Sequence, residues 1–165
     1  LNAKRIELST KQFEFLNRSE RMGLFVAGVG AGKSFVGALW LINQCLSRPG
    51  LPALMASRDF GLLMQSLDKE VYWILTDLMG MVQGIHFKKQ KAPILKYEFQ
   101  NGATITGVSA LNFDSSFRGA NYGVALLDET AYYKEEAFYT ALGRIRVEPE
   151  LIRCVTTPKG HNFLH

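Results

Sequence analysis

A three-layer α/β sandwich with a mostly parallel sheet is the fold this sequence predicts, and three observations carry the prediction. The first is Ala27-Gly28-Val29-Gly30-Ala31-Gly32-Lys33-Ser34, set between a short apolar segment (24–27) and a long, proline-free apolar one (34–46). The second is the apolar run 123–127, which closes on two carboxylates, Asp128 and Glu129. A buried parallel strand reads as such a run, and ligands of open α/β sheets gather at the carboxyl ends of strands. The third is the alternation of strand-length and helix-length patterns along the rest of the chain.

Residues 27–34 fit a permissive phosphate-loop pattern, with Ala27 where Gly is usual. Gly28, Gly30 and Gly32 let the backbone turn tightly and aim N–H groups at a polyphosphate. In that reading the backbone of Ala27, Val29 and Ala31 shares the cradle, Lys33 reaches the β/γ oxygens, and Ser34 holds Mg²⁺. Asp128 then serves the metal's shell, and Glu129 polarises a water for attack on the γ-phosphate. The plain alternatives are a Gly-rich turn and an acidic helix start. An acidic helix start needs neither a preceding strand nor an upstream phosphate loop, and this sequence has both. The expected activity is hydrolysis of a nucleoside triphosphate.

Read in order, residues 9–17 form a short helix begun by Ser9 or Thr10, each able to cap it. A strand (24–27), the loop and a helix (34–46) follow, and Arg48-Pro49-Gly50 stops the helix. Residues 53–56 read as a second strand and 60–81 as one long amphipathic helix. Lys88-Lys89-Gln90-Lys91 is the densest basic patch, read equally as a polyanion contact or a solvated loop. Residues 95–99 and 103–108 flank Asn101-Gly102, a hairpin signal in which both turn residues take positive φ. Residues 112–122 are loop-like, 130–147 helical, and 151–156 a last strand closing on Thr156-Thr157-Pro158-Lys159-Gly160.

Composition fits one domain. The chain has 165 residues and is 47% hydrophobic, enough to bury about two-thirds of its unfolded surface. No run approaches the ~18 apolar residues of a membrane span, and no signal segment opens it. Cys45 and Cys154 sit among apolar neighbours and read as reduced core thiols. The net charge of +4 makes a polyanion partner plausible without showing one. The chain opens on Leu1 and ends on His165 without a cap, and it reads as a fragment of something longer. His161 and His165 have metal-ligand spacing but lack a third ligand, and His86 reads as a surface residue. Tyr132, Tyr133, Phe138 and Tyr139 have the spacing of a packed helix face. Arg58 is open to a DNA phosphate or an ion pair.

With these parts in this order, the chain resembles the ATPase domain (a P-loop NTPase of RecA/ASCE type) of a tailed-phage terminase large subunit, a DNA-packaging motor. Residues 27–34 resemble its Walker A loop, and Leu126-Leu127-Asp128-Glu129 its Walker B with catalytic glutamate. Gln12 resembles its adenine-recognising glutamine, residues 117–123 its Arg-Gly loop, and residues 156–163 its coupling motif, which includes Thr157. The resemblance implies ATP and Mg²⁺ as cofactors, and double-stranded DNA, a portal protein and a small terminase subunit as partners. It also implies a homo-oligomeric ring on a procapsid in the host cytoplasm, the isolated domain being monomeric. The family often carries an arginine inside the Walker A loop. Val29 and Ala31 stand there instead, so Arg118 is the first choice for an arginine finger, with Arg144 and Arg146 behind it. The nuclease domain of full-length terminases is absent from residues 1–165. The alternatives are a superfamily 2 helicase fragment, since 128–131 also resembles a DExx box, and a nucleotide-gated switch without turnover.

Overall fold

The computed structural model describes residues 4–112 and 120–160. Arg118, His161, Asn162, Phe163 and His165 therefore lie outside the described residues. Within them, seven strands form one sheet: β1 (Met22–Val26), β2 (Pro52–Ser57), β3 (Phe87–Gln90), β4 (Leu95–Phe99), β5 (Thr104–Ser109), β6 (Val124–Asp128) and β7 (Leu151–Thr156). Their order is β1-β7-β6-β2-β5-β4-β3. From β1 to β5 every pairing is parallel, and β4 pairs antiparallel with both β5 and β3. The predicted mostly parallel sheet is what forms.

Helices lie on both faces. α1 (Thr10–Asn17) begins at Ser9, whose hydroxyl accepts from the Gln12 N–H while the Gln12 side chain accepts from the Ser9 N–H. This reciprocal cap satisfies two donors that the helix itself cannot. α2 (Lys33–Ser47) is buried on nearly all sides, at Val36, Ala38, Leu39, Trp40, Leu41 and Ile42. A helix apolar all round must be enclosed, and here α1, the sheet and α4 (Leu67–Trp73) enclose it. One core therefore joins α2 to Met55, Leu126 and Val155. A second, on the opposite face, gathers Leu54, Leu127, Phe138 and Cys154. Cys45 and Cys154 are buried free thiols, each pushed up to about 12 by burial.

Four elements depart from the sequence reading. The helix expected over 60–81 breaks at Ser66 into α3 (Phe60–Gln65) and α4, and ends in a wider turn at Ile74–Leu78. Ser66 leaves helical geometry (φ −113, ψ −81) and turns its hydroxyl away from its own helix. The basic patch at 88–91 is mostly strand β3 rather than loop. The hairpin turn has positive φ at Gly102 but not at Asn101. Asn101 instead donates to the carbonyls of Cys45 and Leu46, capping the end of α2. Finally, the helix expected over 130–147 is a tight turn (Thr130–Tyr132) followed by α5 (Glu135–Leu142). Tyr133 and Lys134 are extended, so no continuous helix runs on from Thr130, and the Ala131 N–H is taken by Thr156 Oγ1. Past α5, Arg144 and Arg146 bond through their backbone to Tyr122.

Arg153 on β7 is fully buried and donates to the carbonyls of Arg18, Glu20 and Ile152. Its guanidinium also lies 5.0 Å from the Trp40 ring centroid. It thereby ties the α1–β1 connection, and with it Gln12, to β7.

Candidate active site

The carboxyl ends of β1, β6 and β7 bring the predicted motifs together. The loop from β1 to α2 is held at its start by the Ala27 N–H on the Thr156 carbonyl, 3.2 Å. Gly30 and Gly32 take left-handed conformations (φ 79 and 72) that L side chains rarely adopt. At Gly32 a Cβ would also lie 2.7 Å from Gln12 Nε2, so a side chain there would push the Gln12 amide off the loop. Gln12 Nε2 donates to the Ala31 carbonyl at 3.1 Å, which places this residue of α1 directly on the loop. Val29 stands out from the loop into solvent, 91% exposed.

Lys33 is buried, with Nζ donating back to the Gly28 carbonyl at 2.9 Å, so its ammonium lies across the loop. Ser34 Oγ donates to Asp128 Oδ1 at 3.4 Å, joining the start of α2 to the end of β6. Asp128 is 1% exposed. Burial, reinforced by the neighbouring Glu129 carboxylate, pushes its carboxyl up to about 7, against smaller opposing effects of hydrogen bonds and Lys33.

Glu129 follows in a left-handed conformation (φ 53, ψ 43). Such a backbone costs ~1–3 kcal/mol in a non-glycine residue and persists only where surroundings over-determine it. Here the fixing contacts come from the end of β7: Thr157 donates to the Glu129 carboxylate through its N–H (3.1 Å) and its hydroxyl (3.0 Å). Thr156 Oγ1 approaches the same carboxylate at 3.5 Å and accepts from the Ala131 N–H at 3.1 Å. Thr156 and Thr157 thus grip the turn that aims Glu129.

Gln12, the loop residues 27–34, Asp128, Glu129 and Thr157 are therefore one cluster. Arg118 lies outside the described residues. Tyr133 and Phe138 pack into the core, whereas Tyr132 and Tyr139 are 37% and 58% exposed, not members of a packed helix face. Tyr132 lies under Lys159 (4.3 Å) and near Arg58 (5.9 Å), and Arg58 pairs with Asp59 at 3.1 Å. The sequence reading missed Ser66, whose hydroxyl donates to Ser34 Oγ at 3.4 Å, and Ser57, buried at the end of β2.

The raised Asp128 carboxyl has a consequence for stability. A folded-state value above the unfolded one stabilises the protein below the unfolded value near 3.8, and that stability is lost as pH rises through about 7. Asp128→Asn replaces the buried carboxyl with a neutral isostere. The nucleotide-free variant is expected to match wild type near pH 4 and to exceed it by on the order of 2 kcal/mol above pH 7. Urea unfolding across this range checks it, and a variant less stable than wild type at pH 8 would contradict it.

The family described as terminase large subunit, T4likevirus-type, N-terminal, matches residues 24–165, which include the phosphate loop and the acid-ended strand. No curated protein matches. Among solved structures, the large terminase of a thermophilic bacteriophage superposes with a TM-score of 0.76 at 18% identity, over 93% of this chain and 40% of that one. The same terminase in complex with ATP-gamma-S gives 0.70 at 18% identity, over 91% and 38%. The ATPase domain of the Thermus phage P74-26 large terminase gives 0.63 at 17% identity, over 96% and 68%. The shared fold is the P-loop fold of terminase ATPase domains, and this chain spans about two-fifths of the length of the thermophilic-phage terminase. With that fold and a family match running from β1 through β7, the chain belongs to the T4-like-virus-type terminase large subunits, whose N-terminal part residues 24–165 match.

Proposed function

We propose that this chain hydrolyses ATP to drive double-stranded DNA into a procapsid. The observation that carries the reading is the convergence of Lys33, Ser34 and Asp128 at one sheet edge, with Glu129 beside them in the grip of Thr157. Family membership supports the packaging role, and the thermophilic-phage terminase was solved with ATP-gamma-S and with ADP.

In this reading the loop N–H groups and Lys33 bind the β/γ-phosphates, the ammonium exchanging the Gly28 carbonyl for phosphate oxygens. Gln12, already on the loop, recognises the adenine. Ser34 and Asp128 are hard oxygen donors that fit Mg²⁺, which binds through one or two carboxylates together with substrate phosphates. Bound there, the cation neutralises charge on the phosphates. Glu129 orients the attacking water, and its bonds to Thr157 give β7 a direct report of what the carboxylate is doing. Arg118 acts as an arginine finger on a neighbouring subunit, with Arg144 and Arg146 as second choices. The working assembly is a ring on the procapsid in the host cytoplasm, with a portal protein and a small terminase subunit as partners. Residues 1–165 act as the ATPase unit.

Lys33→Ala tests the reading, since it removes the charge nearest the phosphates. ATP affinity is expected to fall at least tenfold, about 1.4 kcal/mol, and hydrolysis to vanish. Isothermal titration with ATP-gamma-S reads the first and a phosphate-release assay, with and without DNA, the second. Unchanged affinity would sink the phosphate-loop assignment. Wild-type protein that, in the assembled motor, binds ATP without turnover both with and without DNA would leave only a switch.

A further inference from the structure

Two serines without a place in the motifs converge on Asp128, Ser57 from the neighbouring strand and Ser66 through Ser34. Along β2, residues alternate between faces: Ala53 and Met55 join Val124 and Leu126 in the core beneath α2, while Leu54 and Ala56 join the core on the opposite face. Ala53 pairs with Val124 and Met55 with Leu126. One further step in that register sets Ser57 beside Asp128, on the α2 side of the sheet. Ser57 is fully buried, and among the described residues no partner reaches its hydroxyl. A buried hydroxyl without a partner is costly and calls for water or a ligand group. It stands next to a carboxylate that is itself almost fully enclosed.

Ser66 approaches from the helical side. It precedes α4, yet its hydroxyl makes no cap bond to that helix. It donates instead to Ser34 Oγ at 3.4 Å, and Ser34 donates onward to Asp128 Oδ1 at 3.4 Å. A serine oxygen has two lone pairs. With its proton committed to Asp128 and one lone pair filled by Ser66, Ser34 has a single lone pair left for a metal ion. The break between α3 and α4 is what puts Ser66 in reach.

We propose that Ser57 and Ser66 are positioning residues of the divalent-cation site: Ser66 sets the rotation of the Ser34 hydroxyl, and Ser57 holds a water of the cation's hydration shell against Asp128. The inference rests on the phosphate-loop reading above. Mg²⁺ keeps several of its waters when it binds proteins, and partners of this second kind change metal affinity by about ten- to a hundredfold when removed.

The test is a titration of fluorescent ADP binding with MgCl₂, and in excess EDTA, for wild type, Ser57→Ala, Ser66→Ala and Ser66→Thr. The Mg²⁺ concentration giving half of the metal-dependent tightening is expected to rise about tenfold in each alanine variant, and to return toward wild type in Ser66→Thr. Affinity in EDTA should stay within about twofold. The melting temperature of Ser57→Ala in EDTA should be equal to or above wild type, since an unpaired buried hydroxyl has been removed. Half-effect Mg²⁺ concentrations within about twofold of wild type would overturn the inference. So would an equal loss of affinity in EDTA, which marks a structural role. Wild-type protein that binds ADP in neither condition would overturn the phosphate-loop reading instead, and the inference with it.

Discussion

Glu129→Gln is expected to leave ATP bound and to stop its hydrolysis. The substitution keeps size and can keep one of the two oxygens that accept from Thr157, while its amide NH2 donates to the Thr157 hydroxyl in place of the other. The negative charge that polarises the water is removed. Positioned general bases contribute about 10²–10⁴ in rate, so turnover should fall by at least a hundredfold with ATP-gamma-S affinity within about threefold of wild type. Single-turnover hydrolysis beside equilibrium binding gives both numbers. Retention of most of the wild-type rate would remove Glu129 from its assigned role. The same variant tests the arginine finger in the assembled motor. Inactive Glu129→Gln and Arg118→Ala subunits, mixed, should recover partial activity, because some interfaces then pair an intact finger with an intact glutamate. No single-turnover activity at any mixing ratio, with co-assembly confirmed, would count against Arg118 acting in trans.

The largest expected loss of stability lies in a buried ion pair between α4 and β3. Lys89 on β3 and Asp68 on α4 form an ion pair at 2.8 Å, with side chains only 8% and 5% exposed. Tyr97 on β4 donates its hydroxyl to the other Asp68 oxygen at 2.6 Å. Burial and that carboxylate push the Tyr97 phenol above its ordinary range, so it stays a donor. The Lys89 ammonium also sits 4.8 Å and 5.1 Å from the ring centroids of Tyr72 and Tyr97. Asp68→Ala leaves this ammonium buried with two ring faces and no counter-ion. Breaking such a pair from one side costs ~3–5 kcal/mol, mostly as the penalty on the stranded charge. Lys89→Met in the Asp68→Ala background should return much of that loss, because the stranded charge goes with it. Urea unfolding of the four proteins closes the cycle. A loss below ~1 kcal/mol in the single variant would show that the pair is solvated in solution.

That network also shows why parts of the chain resisted reading from sequence. The lysines at 88, 89 and 91 look alike in a linear string. Lys89 is buried because Asp68, distant along the chain on α4, meets at its ammonium the cross-strand partner Tyr97, and no local pattern encodes that meeting. Ser66 and Ser57 were silent for the same reason: a serine has no periodic signature, and its value here comes from standing next to Ser34 or Asp128. The helix expected over 60–81 failed at Ser66, where tertiary hydrogen bonding outweighed a continuous apolar period. The helix expected over 130–147 failed because the backbone turns extended at Tyr133 and Lys134, between Thr130–Tyr132 and α5.

What the sequence determined by itself was everything with a local physical cause. Positive-φ glycines followed by Lys-Ser can be read from eight residues, because the tight turn is a property of the backbone. The apolar run ending at Asp128 is legible because burial on both faces demands continuous apolar residues. A cap at Ser9 or Thr10 is legible within a single turn, and the structure chooses Ser9. Tertiary structure alone decided which distant polar groups share a low-dielectric pocket. It raised the Asp128 carboxyl, fastened Glu129 to Thr157, and brought two serines to the proposed cation site. Those outcomes depend on strand order and helix packing, which set distances between residues far apart in the chain, and distance and burial are what fix the strength of polar interactions.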